Sequence, residues 1–234
     1  DTLPQLFQSL GYLDYYTQHP IFDTLIFGAF FKLGFALGSQ WLGLYIFLIV
    51  QAVVTAATFT YLLSYLRKHG APRAFVIIAL LFFIFARVIY SPLNTMSKDA
   101  VNGWSFVLAC IYMLETIRTK GAWLTHWKNL VAFVAVALFC IASKRTMMYL
   151  IVPFMIIASL FIFKRSKTAA ALSLLAGILP AFLFSYALTP LIDSTLSPIH
   201  SVTYEMYSIP IQQVVRTVKD NPNALTANEK TELS

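Results

Sequence analysis

The chain has 234 residues, of which 59% are hydrophobic and only 12% charged, and its mean hydropathy is +0.72. Soluble domains carry about 25% charged residues, so this composition excludes an ordinary water-soluble domain and makes lipid the solvent for most of the chain. In so apolar a chain the net charge of +7 reports membrane topology and not nucleic-acid binding. Cys110 and Cys140 sit inside apolar runs, with neither a disulfide framework nor zinc spacing, and read as small packing residues.

The chain opens on Asp1 with no Met and no signal peptide, and it closes on the polar stretch Asn228 to Ser234. Both ends read as cuts in a longer protein, with one or more spans expected before Asp1. Residues 1–40 are expected to form one external element: a polar opening, a helix over about 20–37, and a turn into the first span. In that helix Phe22, Leu25, Ile26, Ala29, Leu33 and Leu37 recur at helical spacing, which predicts an amphipathic helix lying on the interface. Pro20 suits its first turn and Gly38 its end.

A spanning helix needs about 20 mostly apolar residues. Six segments fit: about 41–66, 73–90, 100–118, 128–143, 146–163 and 168–188, the fourth being short. They form a transmembrane helical unit over 41–188, followed by an external segment over 189–234. In that segment Ile211 to Lys219 reads as a short helix, Asn221-Pro222 as a break, and Thr226 to Glu229 as a capping box.

The links between spans set the orientation. Arg67, Lys68 and Arg73 follow the first span, Arg118, Lys120 and Lys128 the third, and Lys164, Arg165 and Lys167 the fifth. Alternate links share one side, and short links rich in Lys and Arg stay cytoplasmic. That side gathers nine cations with one acid, Glu115, while the other receives nine of the ten carboxylates. If residues 20–37 also spanned, every one of these links would violate the charge rule.

The candidate chemistry therefore sits on the external side. Asp1, Asp14, His19 and Asp23 fall in the first external element, where a carboxylate can act as a general base or simply be a solvated loop acid. His19 and Asp23 are one helical turn apart and can pair. Ser97-Lys98-Asp99 opens the third span, either as capping chemistry or as a phosphate contact by Lys98 with Asp99 orienting it. Lys144-Arg145 occupies a very tight external link against the charge rule. An arginine there suits a lipid phosphate, with snorkelling as the plain alternative. Arg87 lies within a span near its outer end, where ionisable side chains are costly. Trp and Tyr near the predicted boundaries read as interface belts.

In order along the chain, Asp1-Thr2, Gln5, Gly11, His19-Pro20, Thr24-Leu25 and Lys32-Leu33-Gly34 precede the first span. With Ser97-Lys98-Asp99, the Arg145 link and Ile209-Pro210-Ile211-Gln212-Gln213, this pattern resembles the GT-C superfamily of membrane glycosyltransferases, and within it a poorly characterised bacterial branch. The resemblance covers most of the chain and rests on the order of several weak motifs. It implies an all-α polytopic fold in the bacterial cytoplasmic membrane with an external active site. The implied reaction is inverting transfer of a sugar from a polyprenyl-phosphate donor to a glycan, lipid or protein acceptor. It also implies a catalytic acid in the first external loop, Asp1 or failing that Asp14, with Lys98, Arg145 and Arg87 as cations for the donor phosphate. His19, Asp23 and Asp99 would support them. Some members use a divalent cation; the sequence holds no dedicated cluster for one. A transporter or flippase of lipid-linked or small anionic substrates is the alternative, and a polysaccharide polymerase a third reading.

Overall fold

A computed structural model describes residues 2–17, 19–199 and, within 212–220, all but 214 and 217. Among the described residues the chain is helical throughout, and the one strand-like feature is an isolated parallel bridge between Tyr16 and Ile199. The helices are α1 (Thr2–Ser9), α2 (Ile21–Ala36), α3 (Gln40–Lys68), α4 (Arg73–Phe85), α5 (Arg87–Leu93), α6 (Lys98–Arg118), α7 (Trp127–Ser143), α8 (Met148–Phe163), α9 (Lys167–Leu183) and α10 (Thr189–Leu196). The described residues of 212–220 are helical too, while the capping box at Thr226 to Glu229 lies outside the described residues.

Among the described residues four helices are long and apolar enough to cross a bilayer: Trp41–Lys68, Lys98–Arg118, Arg145–Phe163 and Lys167–Leu196. A fifth crossing is made if α4 and α5, bent by 59° at Ala86, act as one broken span. The bend carries neither Pro nor Gly at its centre, so sequence pattern alone gave a straight helix there. α7 is apolar but has only 17 residues, about 25 Å at 1.5 Å per residue against a hydrocarbon core of about 30 Å. The protein is a multi-pass helical membrane protein. The last span exceeds its expected limit at 188, because a π-helical turn over Phe184–Leu188 carries α9 into α10 without a break.

α2 has the expected bounds, and its inward face carries polar residues that the apolar spacing did not point to. It starts directly after Pro20 and ends ahead of Gly38, which takes the left-handed φ of +91°. The face turned into the protein carries Ile21, Asp23, Thr24, Phe27, Gly28, Phe31 and Gly34. Leu25, Leu33 and Leu37, from the stripe predicted to lie against the interface, are 41%, 44% and 55% exposed on the outside of the protein. In water this would be an inverted helix; with lipid as the outer solvent, apolar residues belong outside and polar ones gain by facing their partners.

α2 folds back along α3. A Cβ on Gly43 would stand 2.2 Å from the Phe30 carbonyl oxygen, so only glycine permits this crossing, as in small-residue contacts between membrane helices. Further along, Phe27 and Phe30 both meet Phe47 edge-on, with centroids 5.2 and 5.3 Å away. Phe27, Phe31, Phe47, Met96 and Val101 form one core under this junction, and a larger one joins α6, α7, α8 and α9 around Phe133, Ile141, Ile151 and Met155.

The two ends of the bundle differ in charge. Tyr65 at the end of α3 donates to Glu115 at the end of α6, 3.0 Å, so Arg67, Lys68 and Arg118 share one end. Gly121 lies against Ile162 and Ala169, which brings the link carrying Lys164 and Arg165 to that same end. The starts of α2 and α6 and the end of α7 meet at the opposite end. The alternation read from the links is thus built into the helix packing.

Candidate functional site

The opposite end assembles three chain segments that are far apart in sequence. Asp23, in the first turn of α2, is fully buried. Ser143, the last residue of α7, donates its hydroxyl to Asp23 Oδ1 at 2.7 Å. Asp23 Oδ2 has no hydrogen-bond partner, and a buried unpaired acceptor costs about 1–3 kcal/mol. α2 is not one of the spanning helices, yet burial pushes the Asp23 carboxyl up from 3.8 to about 7. The Ser143 hydroxyl and the Lys98 ammonium pull it back down in part, and the Asp99 carboxylate adds to the rise. Asp23 therefore changes protonation near neutral pH, which is the property a proton-transferring group needs.

A lysine-rich rim adjoins it. Ser97 caps α6, its hydroxyl accepting from the Asp99 amide at 3.2 Å, and this sets Lys98 and Asp99 in the first turn. Lys144 Nζ reaches Asp99 Oδ1 at 2.9 Å, an ion pair with both side chains part-exposed. Three polar contacts hold these pieces in place. Asn102 Nδ2 donates to the Cys140 carbonyl at 3.0 Å and clamps α6 to the last turn of α7. Gln51 Nε2 donates to the carbonyls of Leu93 and Thr95 at 3.2 and 3.3 Å and fixes the link that leads into Lys98. Gln5 Nε2 donates to Thr24 Oγ1 at 3.1 Å, both side chains buried, and docks α1 beside Asp23.

The remaining sequence candidates spread out from this centre. His19 is buried just ahead of α2, at 6% exposure, and Asp14 is exposed in the loop before it. The 12–19 loop is tied to the chain beyond α10, because Ile199 donates to the Tyr15 carbonyl at 2.7 Å and Thr17 to the Ile199 carbonyl at 3.1 Å. Arg145 is exposed on the single 3₁₀ turn between α7 and α8, and Arg87 is exposed at the start of α5. Asp1 lies outside the described residues. Among the described residues no group of three His, Cys, Asp or Glu side chains is placed to hold a metal ion.

Sequence reasoning placed Asp23, Lys98 and Asp99 on one surface but ranked Asp23 behind Asp1 and Asp14. It missed Ser143, Gln51 and Asn102 as positioning residues. For Ser143 the usable signal is its place beside the Lys144-Arg145 pair. For Gln51 and Asn102 it is an amide side chain inside an apolar span, which has to find a partner there.

No curated protein and no solved structure matches the chain. The model of DUF6020, described as a family of unknown function, matches residues 12–234, a stretch that includes Asp14, Asp23, Lys98, Asp99, Ser143 and Lys144, and the chain belongs to that family.

Proposed function

We propose that the protein is a GT-C-like membrane glycosyltransferase that passes a sugar from a polyprenyl-phosphate donor to an acceptor hydroxyl on the external face of the bacterial cytoplasmic membrane. The observation that carries the reading is Asp23: a buried carboxyl with one unpaired oxygen, titrating at about 7, beside Lys98 at the carboxylate-rich end. The resemblance supplies the reaction class and the surroundings of Asp23 supply the chemistry. Six crossings complete the topology if the bent α4–α5 pair and the 17-residue α7 both cross. The cation-rich links then face the cytoplasm and the Asp23 end faces out.

In this reading the acceptor oxygen attacks the anomeric carbon as the bond from that carbon to the phosphate oxygen breaks. The electron pair leaves with polyprenyl phosphate, and the hydroxyl proton passes to a carboxylate of the first external element. The leaving phosphate is stable as an anion and needs cations more than an acid; Lys98 acts on the Asp23 carboxyl through its charge, and Lys144 and Arg145 follow Ser143. Among the described acids Asp23 is the favoured base. Asp14 is exposed in the loop before α2, away from the Ser143 and Lys98 surroundings of Asp23. Asp23 is sealed in the resting chain, so the elements packed on α2 have to shift to admit the acceptor.

The test is sugar transfer in proteoliposomes containing the full-length protein and a panel of polyprenyl-phosphate sugars, with Asp1→Asn, Asp14→Asn and Asp23→Asn compared. Loss confined to Asp23→Asn supports the assignment, and loss confined to Asp1→Asn moves the base there. Protein-dependent translocation of the donor, with no transfer to any acceptor, sinks the enzyme reading in favour of a flippase.

A further inference from the structure

At the cation-rich end, remote from Asp23, a groove of about 620 Å³ opens between the end of α6 and the last two turns of α8. Its walls are apolar and reach the surface: Ile117, Ile157 and Phe161 are 49%, 54% and 79% exposed. Lys120, Lys164 and Arg165 also line it, and no carboxylate does. The nearest acid along α6, Glu115, is taken up by Arg118 and Tyr65.

The position of the lysine is built into the fold. Lys120 takes a left-handed φ of 52°, which a side-chain-bearing residue adopts only where its surroundings impose it. It is the left-handed residue of the cap that closes α6, with the Lys120 N–H donating to the Ile117 carbonyl at 3.0 Å and the Gly121 N–H to the Thr116 carbonyl at 2.8 Å, and at Gly121, φ +79°, a Cβ would stand 2.9 Å from Ala169 Cβ and 3.2 Å from Ile162 Cγ2. The close approach of this link to the start of α9 brings Lys120 to the same groove as Lys164 and Arg165, from a different link. Lysines at span ends ordinarily splay toward separate headgroups; here two links converge on one concavity.

We propose that this groove is a binding site for one anionic glycerophospholipid, its phosphate held by Lys120, Lys164 and Arg165 and an acyl chain laid against Ile157 and Phe161. From Ile157 to the end of α8 at Phe163 the helix rises about 9 Å, and Lys164 and Arg165 follow directly, so the apolar wall lies below the cations. The volume is that of a ligand pocket, and three cations without a carboxylate complement a phosphate and disfavour a zwitterionic headgroup. The proposal stands apart from the Asp23 chemistry and from the reaction assigned to it.

Native mass spectrometry of the purified full chain tests it, with phosphatidylglycerol and phosphatidylcholine of identical chains supplied in equal amounts. One phosphatidylglycerol is expected to stay bound with a preference of about tenfold or more. The triple variant Lys120→Gln, Lys164→Gln, Arg165→Gln should abolish that preference. The matched triple Arg67→Gln, Lys68→Gln, Arg73→Gln, at the same end but outside the groove, should leave it within about twofold. Ile157→Trp, which fills the groove and keeps every charge, should lose the lipid as well. Equal retention of the two lipids overturns the proposal, as does loss in the matched triple or a preference that survives Ile157→Trp. Displacement by excess inorganic phosphate would reduce the site to a plain anion site and overturn it too.

Discussion

Each end of the bundle is organised around one carboxylate, and the two are satisfied very differently. Glu115 accepts from Tyr65 at 3.0 Å and from Arg118 Nε at 2.7 Å, takes a second Arg118 contact on its other oxygen, and has His69 Nε2 at 3.9 Å. Asp23 is more deeply buried, yet it has one neutral hydroxyl on one oxygen and nothing on the other. A carboxylate with both oxygens engaged fastens helices together. A buried one left half-satisfied keeps capacity for a proton or a substrate, at a cost the fold would otherwise avoid. On the proposed reading, the contrast fits a structural role for Glu115 and a chemical one for Asp23.

Asp23→Asn gives the largest expected effects, of opposite sign in activity and stability. Transfer should fall about 100-fold or more, the usual contribution of a general base. The sign for stability follows from proton binding. The unfolded chain releases the Asp23 proton near 3.8 and the folded chain near 7, so between these values the folded state binds more protons. Stability is therefore highest below 3.8 and declines as pH rises through about 7, by a few kcal/mol in all. Asparagine removes the titration. Thermal unfolding in detergent should show Asp23→Asn close to the parent below about pH 4, more stable than it at pH 5 and more so at pH 8, with the pH slope flattened. A variant less stable than the parent at pH 8 would show that the carboxylate is well solvated or paired, and the contrast with Glu115 would disappear.

This contrast was only half legible in the sequence. Hydropathy and the positions of Arg and Lys gave the long spans and their alternation, because burying charge in lipid is so costly that few arrangements survive. The bounds of α2 followed from Pro20 and Gly38 for local backbone reasons. Its inward face did not, because apolar spacing assigns one stripe to the interface and says nothing of which residues on the other side meet partners far along the chain. Asp23 looked like a loop acid for the same reason, and its partner Ser143 lies 120 residues away.

The Gly43 crossing offers a way to disturb the Asp23 end without touching its chemistry. Gly43→Ala places a methyl 2.2 Å from the Phe30 carbonyl oxygen, so α2 has to move off α3. A loss of about 1–3 kcal/mol is expected, with the thermal midpoint lower by several degrees. Activity should fall with it if α2 delivers Asp23, and an unchanged transfer rate would detach α2 from the site. Glu115→Gln, at the other end, should cost less, about 1 kcal/mol, because Arg118 is half-exposed and solvent screens the pair. Its effect on transfer should stay within about twofold if that end is structural.

The smallest stability effect should come from Lys144→Ala, and it discriminates most sharply within the site. The Lys144–Asp99 pair is 40% and 59% exposed, so its loss should move the thermal midpoint by less than about 2 °C. The kinetic effect should be larger than that. If Lys144 joins Lys98 in attending the donor phosphate, the donor KM rises about fivefold while kcat holds within about twofold, the signature of lost ground-state binding. Arg145→Ala is the natural counterpart, since Arg145 follows directly and is the cation the resemblance would use. A KM effect in Lys144→Ala alone places the phosphate on the Asp99 side of the rim, over Asp23. The same effect in Arg145→Ala alone moves the phosphate onto the 3₁₀ turn and leaves the Lys144–Asp99 pair as a clasp between α6 and α7.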